Sequence, residues 1–270
     1  MQYTGLDNVI QDYAEFRDHI AEAIHAEFEL RVSPAFGLVL VKSFGYCFNT
    51  FKAIGLVLPE LYYEQANALL RILWEAAANL AWVSVDQGAR SKLFAQFTVV
   101  ERRKFIQMRV NEAQRLGPPE AVVRFEAELR AFDDAFGSVL ADYQYEDSKR
   151  RKKFRQRFSS PTLDAIIRDI GEPWLTEYRE RYPLWCFYAH ASPGAVLFPN
   201  PFLNEVTKEA FDAYDKPRTF QVALWSLAVM ERVYFIACGI IGKDDREYFD
   251  KLNDRIGFRV SLHHPDIKTA

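Results

Sequence analysis

The sequence predicts an all-α fold: a multi-helix bundle of about nine or ten helices with a projecting charged helical hairpin. Three observations predict it. Apolar residues recur at helical spacing nearly everywhere, and strand-like alternation is scarce. Pro and Gly fall at intervals that punctuate helices rather than strands. Two central segments are strongly charged over their whole length, as expected of long solvated helices.

Asp7 to Glu29 is amphipathic, with Val9, Ile10, Tyr13, Phe16, Ile20 and Ile24 on one side. Ser33-Pro34 is a helix start, and that helix runs to about Leu56 before Leu58-Pro59 turns the chain. Tyr62 to about Val85 is the third helix, closed by the Gly88 break. Ala89 to Leu116 is long and charged and stops at Gly117-Pro118-Pro119. Glu120 to about Tyr143 is its partner, and the two form the hairpin.

EDSKRRKKFRQRFSSP then reads as a basic linker or an exposed helix end. Ser160-Pro161 opens a short helix to Ile170. Glu172-Pro173 opens another segment, interrupted at Tyr182-Pro183. After the loop SPGAVLFPNP come helices over Val206–Tyr214, Pro217–Ile241 and Asp244–Ile256. The reading is one helical domain over 1–260, with the hairpin over 89–145, the basic linker over 146–160 and a frayed tail over 261–270.

The bulk properties exclude some functions. A net charge of -3 excludes a globally basic nucleic-acid binder but leaves room for a local basic patch. Cys47, Cys186 and Cys238 lie far apart among apolar residues, so neither a disulfide framework nor a zinc cluster is expected. The apolar runs Phe36–Phe51 and Phe220–Ile241 offer no clean uncharged stretch long enough to span a bilayer, so no membrane association is expected. The N-terminus lacks the pattern of a signal peptide, and a cytoplasmic protein is expected. No phosphate-binding loop, dinucleotide fingerprint or G-x-S-x-G elbow occurs, so no nucleotide cofactor or α/β-hydrolase chemistry is expected. No metal is expected either. Glu22-Ala-Ile-His25 has E-x-x-H spacing but no second copy, and His263-His264 has no nearby ligand partners.

One helix carries a polar seam. From Ala66 to Val83 every residue is apolar except Asn67, Arg71, Glu75 and Asn79, which recur every fourth position and so form one stripe. Buried charge is costly unless paired. Arg71 and Glu75 can pair, but a guanidinium has five donors and needs another acceptor. Two readings stand. The pair is a structural ion pair that fixes helix register, or Arg71 binds an anionic group while Glu75 orients it. A second candidate is His190, which ends the greasy segment PLWCFYAHASPG in a last helical turn. It is a satisfied core histidine, or an acid/base working beside the Arg–Glu seam.

Two stretches together, LLRILWEAAANLAW (Leu69 to Trp82) and YRERYPLWCFYAHASP (Tyr178 to Pro193), resemble the helical proteins of the domain-of-unknown-function 5677 (DUF5677) family. Those carry an R-x-x-x-E helix and a later Y…H-x-S segment. The likeness covers roughly Tyr62 to Leu197 and implies no established activity. A looser resemblance is to HEPN (higher-eukaryotes-and-prokaryotes-nucleotide-binding) bundles, many of which are metal-independent RNases of toxin and phage-defence systems. It implies an RNA-directed activity, for which the seam and the lone histidine offer Arg71, Glu75 and His190 as catalytic candidates. Asn67, Asn79, Tyr182 and Ser192 are expected substrate contacts, with Lys149, Arg151 and Lys153 of the basic run on phosphates. The alternatives are a non-catalytic interaction module, a homodimer or scaffold, and a pocket for a small anionic ligand.

Overall fold

The computed structural model describes residues 5–25, 32–146, 150, 152–155, 162–190 and 208–256. These form ten helices and one two-stranded ribbon, in two compact units. The first unit comprises residues up to Gln87 and from Asp164 onward. Its helices are α1 (Leu6–His25), α2 (Pro34–Val57), α3 (Tyr63–Val85), α6 (Leu163–Ile170, which starts at the unit boundary), α7 (Trp174–Glu180), α8 (Tyr182–Ala189), α9 (Lys208–Ile241) and α10 (Arg246–Ile256). The second unit, Gly88–Leu163, holds α4 (Ala89–Leu116), α5 (Pro119–Ala141), β1 (Gln144–Glu146) and β2 (Lys152–Phe154).

In the first unit α3 is the central helix, packed against α2, α8 and α9. Its composition dictates that place. Leu70, Leu73, Trp74, Ala77, Ala78 and Ala81 are fully or almost fully buried on several sides of the helix, while Arg71, Glu75 and Asn79 of the polar seam are only partly covered and Ile72 is exposed. By length and composition α3 and the Asp215–Ile241 part of α9 are apolar enough to cross a membrane; most of each is buried inside the bundle.

Ser33 caps α2 by accepting the Phe36 N–H, and Pro34 occupies the first turn, where its missing N–H costs nothing. Two glycines end helices in the left-handed region. Gly171 (φ 76°) donates to the Ile167 carbonyl after α6, and Gly242 (φ 73°) lets Lys243 N–H reach the Cys238 carbonyl after α9.

Two stretches differ from the sequence expectation. The helices expected over Val206–Tyr214 and Pro217–Ile241 are one helix, α9, with Pro217 inside it. Its packing on α1, α2 and α3 outweighs the single backbone bond that the proline removes. Part of the expected basic linker is the β1–β2 ribbon, with Glu146 opposite Lys152 and Tyr145 opposite Lys153. Arg150, in the left-handed region at φ 54°, lies between the two strands.

In the second unit α4 and α5 run antiparallel, fastened by charge. Arg103 forms two hydrogen bonds with Asp133, at 2.7 and 2.8 Å, and Arg109 reaches Glu128 at 3.1 Å. Gln114 bonds Glu126 at 3.0 Å. The ribbon is fixed to α4 at two points. Tyr143, fully buried, donates to the Leu93 carbonyl, and Lys104 donates to the Arg155 carbonyl.

Candidate functional site

The site grows from the α3 seam. Arg71 Nε donates to Glu75 Oε1 at 3.0 Å, one helical turn on. The acceptor that the remaining guanidinium donors require comes from α8. Arg71 Nη1 lies 3.0 Å from His190 Nε2, across 119 residues of sequence. A guanidinium only donates, so Nε2 is the acceptor in this contact and the ring proton sits on Nδ1. Tyr182, at the first turn of α8, donates its hydroxyl to Glu75 and lies under the Arg71 guanidinium, 5.6 Å from ring centroid to Cζ. Four side chains thus form one chain: Tyr182 to Glu75, Glu75 to Arg71, Arg71 to His190.

Burial differs along that chain. Arg71 and Glu75 keep 20% and 30% of their side-chain surface, while His190 is exposed. Burial, then the hydrogen bond and negative charge of Glu75, push the Tyr182 phenol above its ordinary range, which keeps it a neutral donor. Burial acts to lower the Arg71 pKa, but Tyr182 and Glu75 outweigh it, so the net shift is upward. The site therefore holds a fixed cation and a neutral imidazole with its basic nitrogen turned toward that cation. An incoming anion can take the Arg71 donors and release the His190 lone pair, which is the requirement for anion binding coupled to proton transfer.

The floor of the site is aromatic. Tyr182 stacks on Tyr178 and leans on Trp74, each at 5.2 Å between centroids. Trp74 is fully buried and donates its indole N–H to Glu177 at 2.7 Å. Glu177 also accepts Arg232 Nη2 from α9 at 2.7 and 2.9 Å, and the Arg232 guanidinium lies over Trp174. Beside the seam, one helical stretch earlier on α3, Arg218 donates to the Tyr63 hydroxyl at 2.7 Å and Tyr188 meets Tyr63 edge-on.

The structure brings together Arg71, Glu75, Tyr182 and His190. Asn67 is buried and turned back on its own helix, donating to the Tyr63 carbonyl. Asn79 Oδ1 is buried without a hydrogen-bond partner. Lys153 lies on β2, in the second unit. Ser192, Lys149 and Arg151, like His263 and His264, lie outside the described residues.

The support beneath the site, Trp74–Glu177–Arg232, had one sequence signal: the pair Glu231-Arg232 interrupts the apolar run Phe220–Ile241. Arg179 and Arg181, the arginines closest before His190 in sequence, are not the ones that reach it; Arg71 from another helix does.

A family model described as a family of unknown function, DUF5677, matches residues 37–200, a span that contains all of α3 and α8. No curated protein and no solved structure matches the chain.

Proposed function

Since the chain belongs to that family of unknown function, we propose its activity from its own residues: it is a metal-independent ribonuclease whose reaction centre is Arg71, Glu75 and His190. The observation that carries the reading is the 3.0 Å contact between an exposed imidazole nitrogen and a guanidinium already held by a carboxylate. A phosphodiester needs a cation for its charge and a base for the attacking hydroxyl, and this arrangement offers both. RNA as the substrate class comes from the resemblance to HEPN bundles and from the basic run over Lys149 to Arg157.

In this reading a phosphate oxygen accepts from Arg71 Nη1 and displaces His190 Nε2. His190 then takes the proton of the ribose 2′-hydroxyl, and the 2′-oxygen attacks phosphorus. The bond from phosphorus to the 5′-oxygen breaks, and His190 returns its proton to that oxygen. The products are a 2′,3′-cyclic phosphate and a 5′-hydroxyl. Arg71 carries the charge that builds on the phosphoryl oxygens. Glu75, itself held by Tyr182, keeps Arg71 in place. Neither a metal nor another cofactor enters these steps, and a cytoplasmic setting without membrane association suits them.

The test is labelled RNA incubated with purified protein in excess EDTA. Cleavage with cyclic-phosphate ends is expected, lowered about 100-fold or more by His190→Ala, with the fold checked by circular dichroism. Absence of cleavage by the unaltered protein, or equal cleavage by the variant, removes the reading.

A second reading is favoured by a different surface. Leu38, Val41, Tyr46 and Leu56 of α2 are more than half exposed and belong to one helix, as in an interaction module that forms a homodimer. Sedimentation of the protein and of Leu56→Asp decides it. A dimer that dissociates in the variant supports this reading, and a monomer throughout ends it.

A further inference from the structure

We propose that the open groove between the β1–β2 ribbon and α4 is a binding site for single-stranded nucleic acid, with Tyr145 as the platform on which a base stacks. The groove is about 680 Å³ and lies wholly within the second unit. Its lining contains Arg103, Lys104 and Lys153 and no carboxylate; Arg103 is paired with Asp133, so Lys104 and Lys153 supply the groove's attraction for a polyanion.

The details narrow the polyanion. Tyr145 is 45% exposed, and its cross-strand partner is Lys153, so an aromatic face and an ammonium stand side by side on the ribbon. Residues at that spacing suit a base and the phosphate next to it. Lys104, across the groove on α4, bonds the Arg155 carbonyl at 3.0 Å, which fixes its position. Exposed Met108 adds apolar surface beside the rings. Gln107 and Asn111, bonded to each other at 3.0 Å, present amide groups that can meet a base edge.

The ribbon itself is rigidly mounted. The Arg103 guanidinium, clamped by Asp133, lies 4.7 Å over the Phe154 ring. A preorganised platform loses less on binding than a mobile tail. Among the described residues of 144–155, Arg150, Lys152, Lys153 and Arg155 stand against one acid, Glu146, so phosphate attraction continues along the ribbon.

A duplex buries its base faces in its own stack and cannot use Tyr145. An acidic peptide can use the lysines but leaves Tyr145 idle. The contacts are phosphate and ring contacts, so sequence preference is weak. The choice of RNA over DNA rests on the ribonuclease reading, while the residues of this site are different ones.

The test is fluorescence anisotropy with labelled single-stranded oligouridylate and the matching DNA. Full-length protein carrying His190→Ala is used, so that cleavage cannot distort binding. Tyr145→Ala is expected to weaken binding about ten-fold, and Tyr145→Phe to retain it. Lys153→Glu is expected to weaken binding and flatten its dependence on salt, while the same charge change at exposed Lys42 of α2 does neither. A hairpin duplex and polyglutamate are expected to bind at least ten-fold more weakly.

Equal binding by Tyr145→Ala, or duplex or polyglutamate binding as tight as the single strand, overturns the proposal. Tight, Tyr145-dependent binding without any cleavage by the unaltered protein overturns only the ribonuclease reading. Binding lost in Arg71→Ala but kept in Tyr145→Ala overturns this site and leaves that reading standing.

Discussion

Replacing Arg232 by Met tests whether the candidate site stands on a buried ionic support. The side chains of Arg232 and Glu177 are only 5% and 7% exposed, and Glu177 receives three close donor contacts, two from Arg232 Nη2 and one from Trp74. Arg232→Met keeps the approximate length of the side chain and its packing over Trp174, but leaves the Glu177 carboxylate buried with the indole N–H alone. Breaking a buried pair from one side costs about 3–5 kcal/mol. For a chain of this size that corresponds to a fall in melting temperature of roughly 10 °C.

The double variant Arg232→Met, Glu177→Gln removes both charges and keeps an acceptor for Trp74. It is expected to regain most of the loss, because a well-packed neutral pair is often as stable as the ionic one. Urea denaturation followed by tryptophan fluorescence reads both. A loss under about 1 kcal/mol for the single variant, or no recovery in the double, would refute the reasoning. The same variants report on the site. Glu177 positions Trp74, Trp74 lies under Tyr182, and Tyr182 holds Glu75.

Three further outcomes are expected. Burial raises the Glu231 carboxyl from about 4.5 to about 7, against the lowering effects of Asn253 and Arg232. The folded chain therefore holds that proton more tightly than the unfolded one. The stabilisation is complete below about pH 4.5 and is lost as pH rises through about 7, roughly 2–3 kcal/mol between pH 5 and 8, and Glu231→Gln should remove that slope from urea titrations. Gly55→Ala places a methyl 2.8 Å from Cε1 of buried Tyr13, and a cost of about 1–3 kcal/mol is expected; unchanged stability would show that the ring yields freely. Under iodoacetamide at pH 8, half-buried Cys186 should alkylate first by peptide mass spectrometry. Cys47 and Cys238, buried and with thiols pushed up to about 12 and about 11, should react only with unfolding.

The helices were legible because 3.6-residue periodicity and Ser-Pro or Gly punctuation are local signals, and the ends of α2, α3 and α4 follow them closely. The Arg71–Glu75 pair was legible for the same reason, being one turn apart. Arg71's need for a further acceptor also follows from its chemistry alone. What the sequence did not contain is which group answers that need. His190 does so only because α8 docks on α3, a contact that no local pattern encodes. Pro183 interrupts the segment, yet the Tyr178 and Tyr182 rings stack across the break between α7 and α8. Glu177 and Arg232 are 55 residues apart on different helices, so their pairing is invisible to periodicity. The ribbon was hidden by its brevity: three residues per strand, half of them charged, carry no alternation.

The distance in sequence between α3 and its partners has a consequence for synthesis. A chain growing on the ribosome at roughly 5–20 residues per second produces α3 many seconds before α7, α8 and the middle of α9. Until then Trp74 lacks its acceptor and the central helix of the first unit lacks two of its three neighbours. The nascent polypeptide must carry that greasy segment through the whole translation of residues 88–163. Fragments ending before about residue 232 should accordingly be insoluble or chaperone-bound. Expression constraints on this protein are thus set by the order in which its helices leave the exit tunnel.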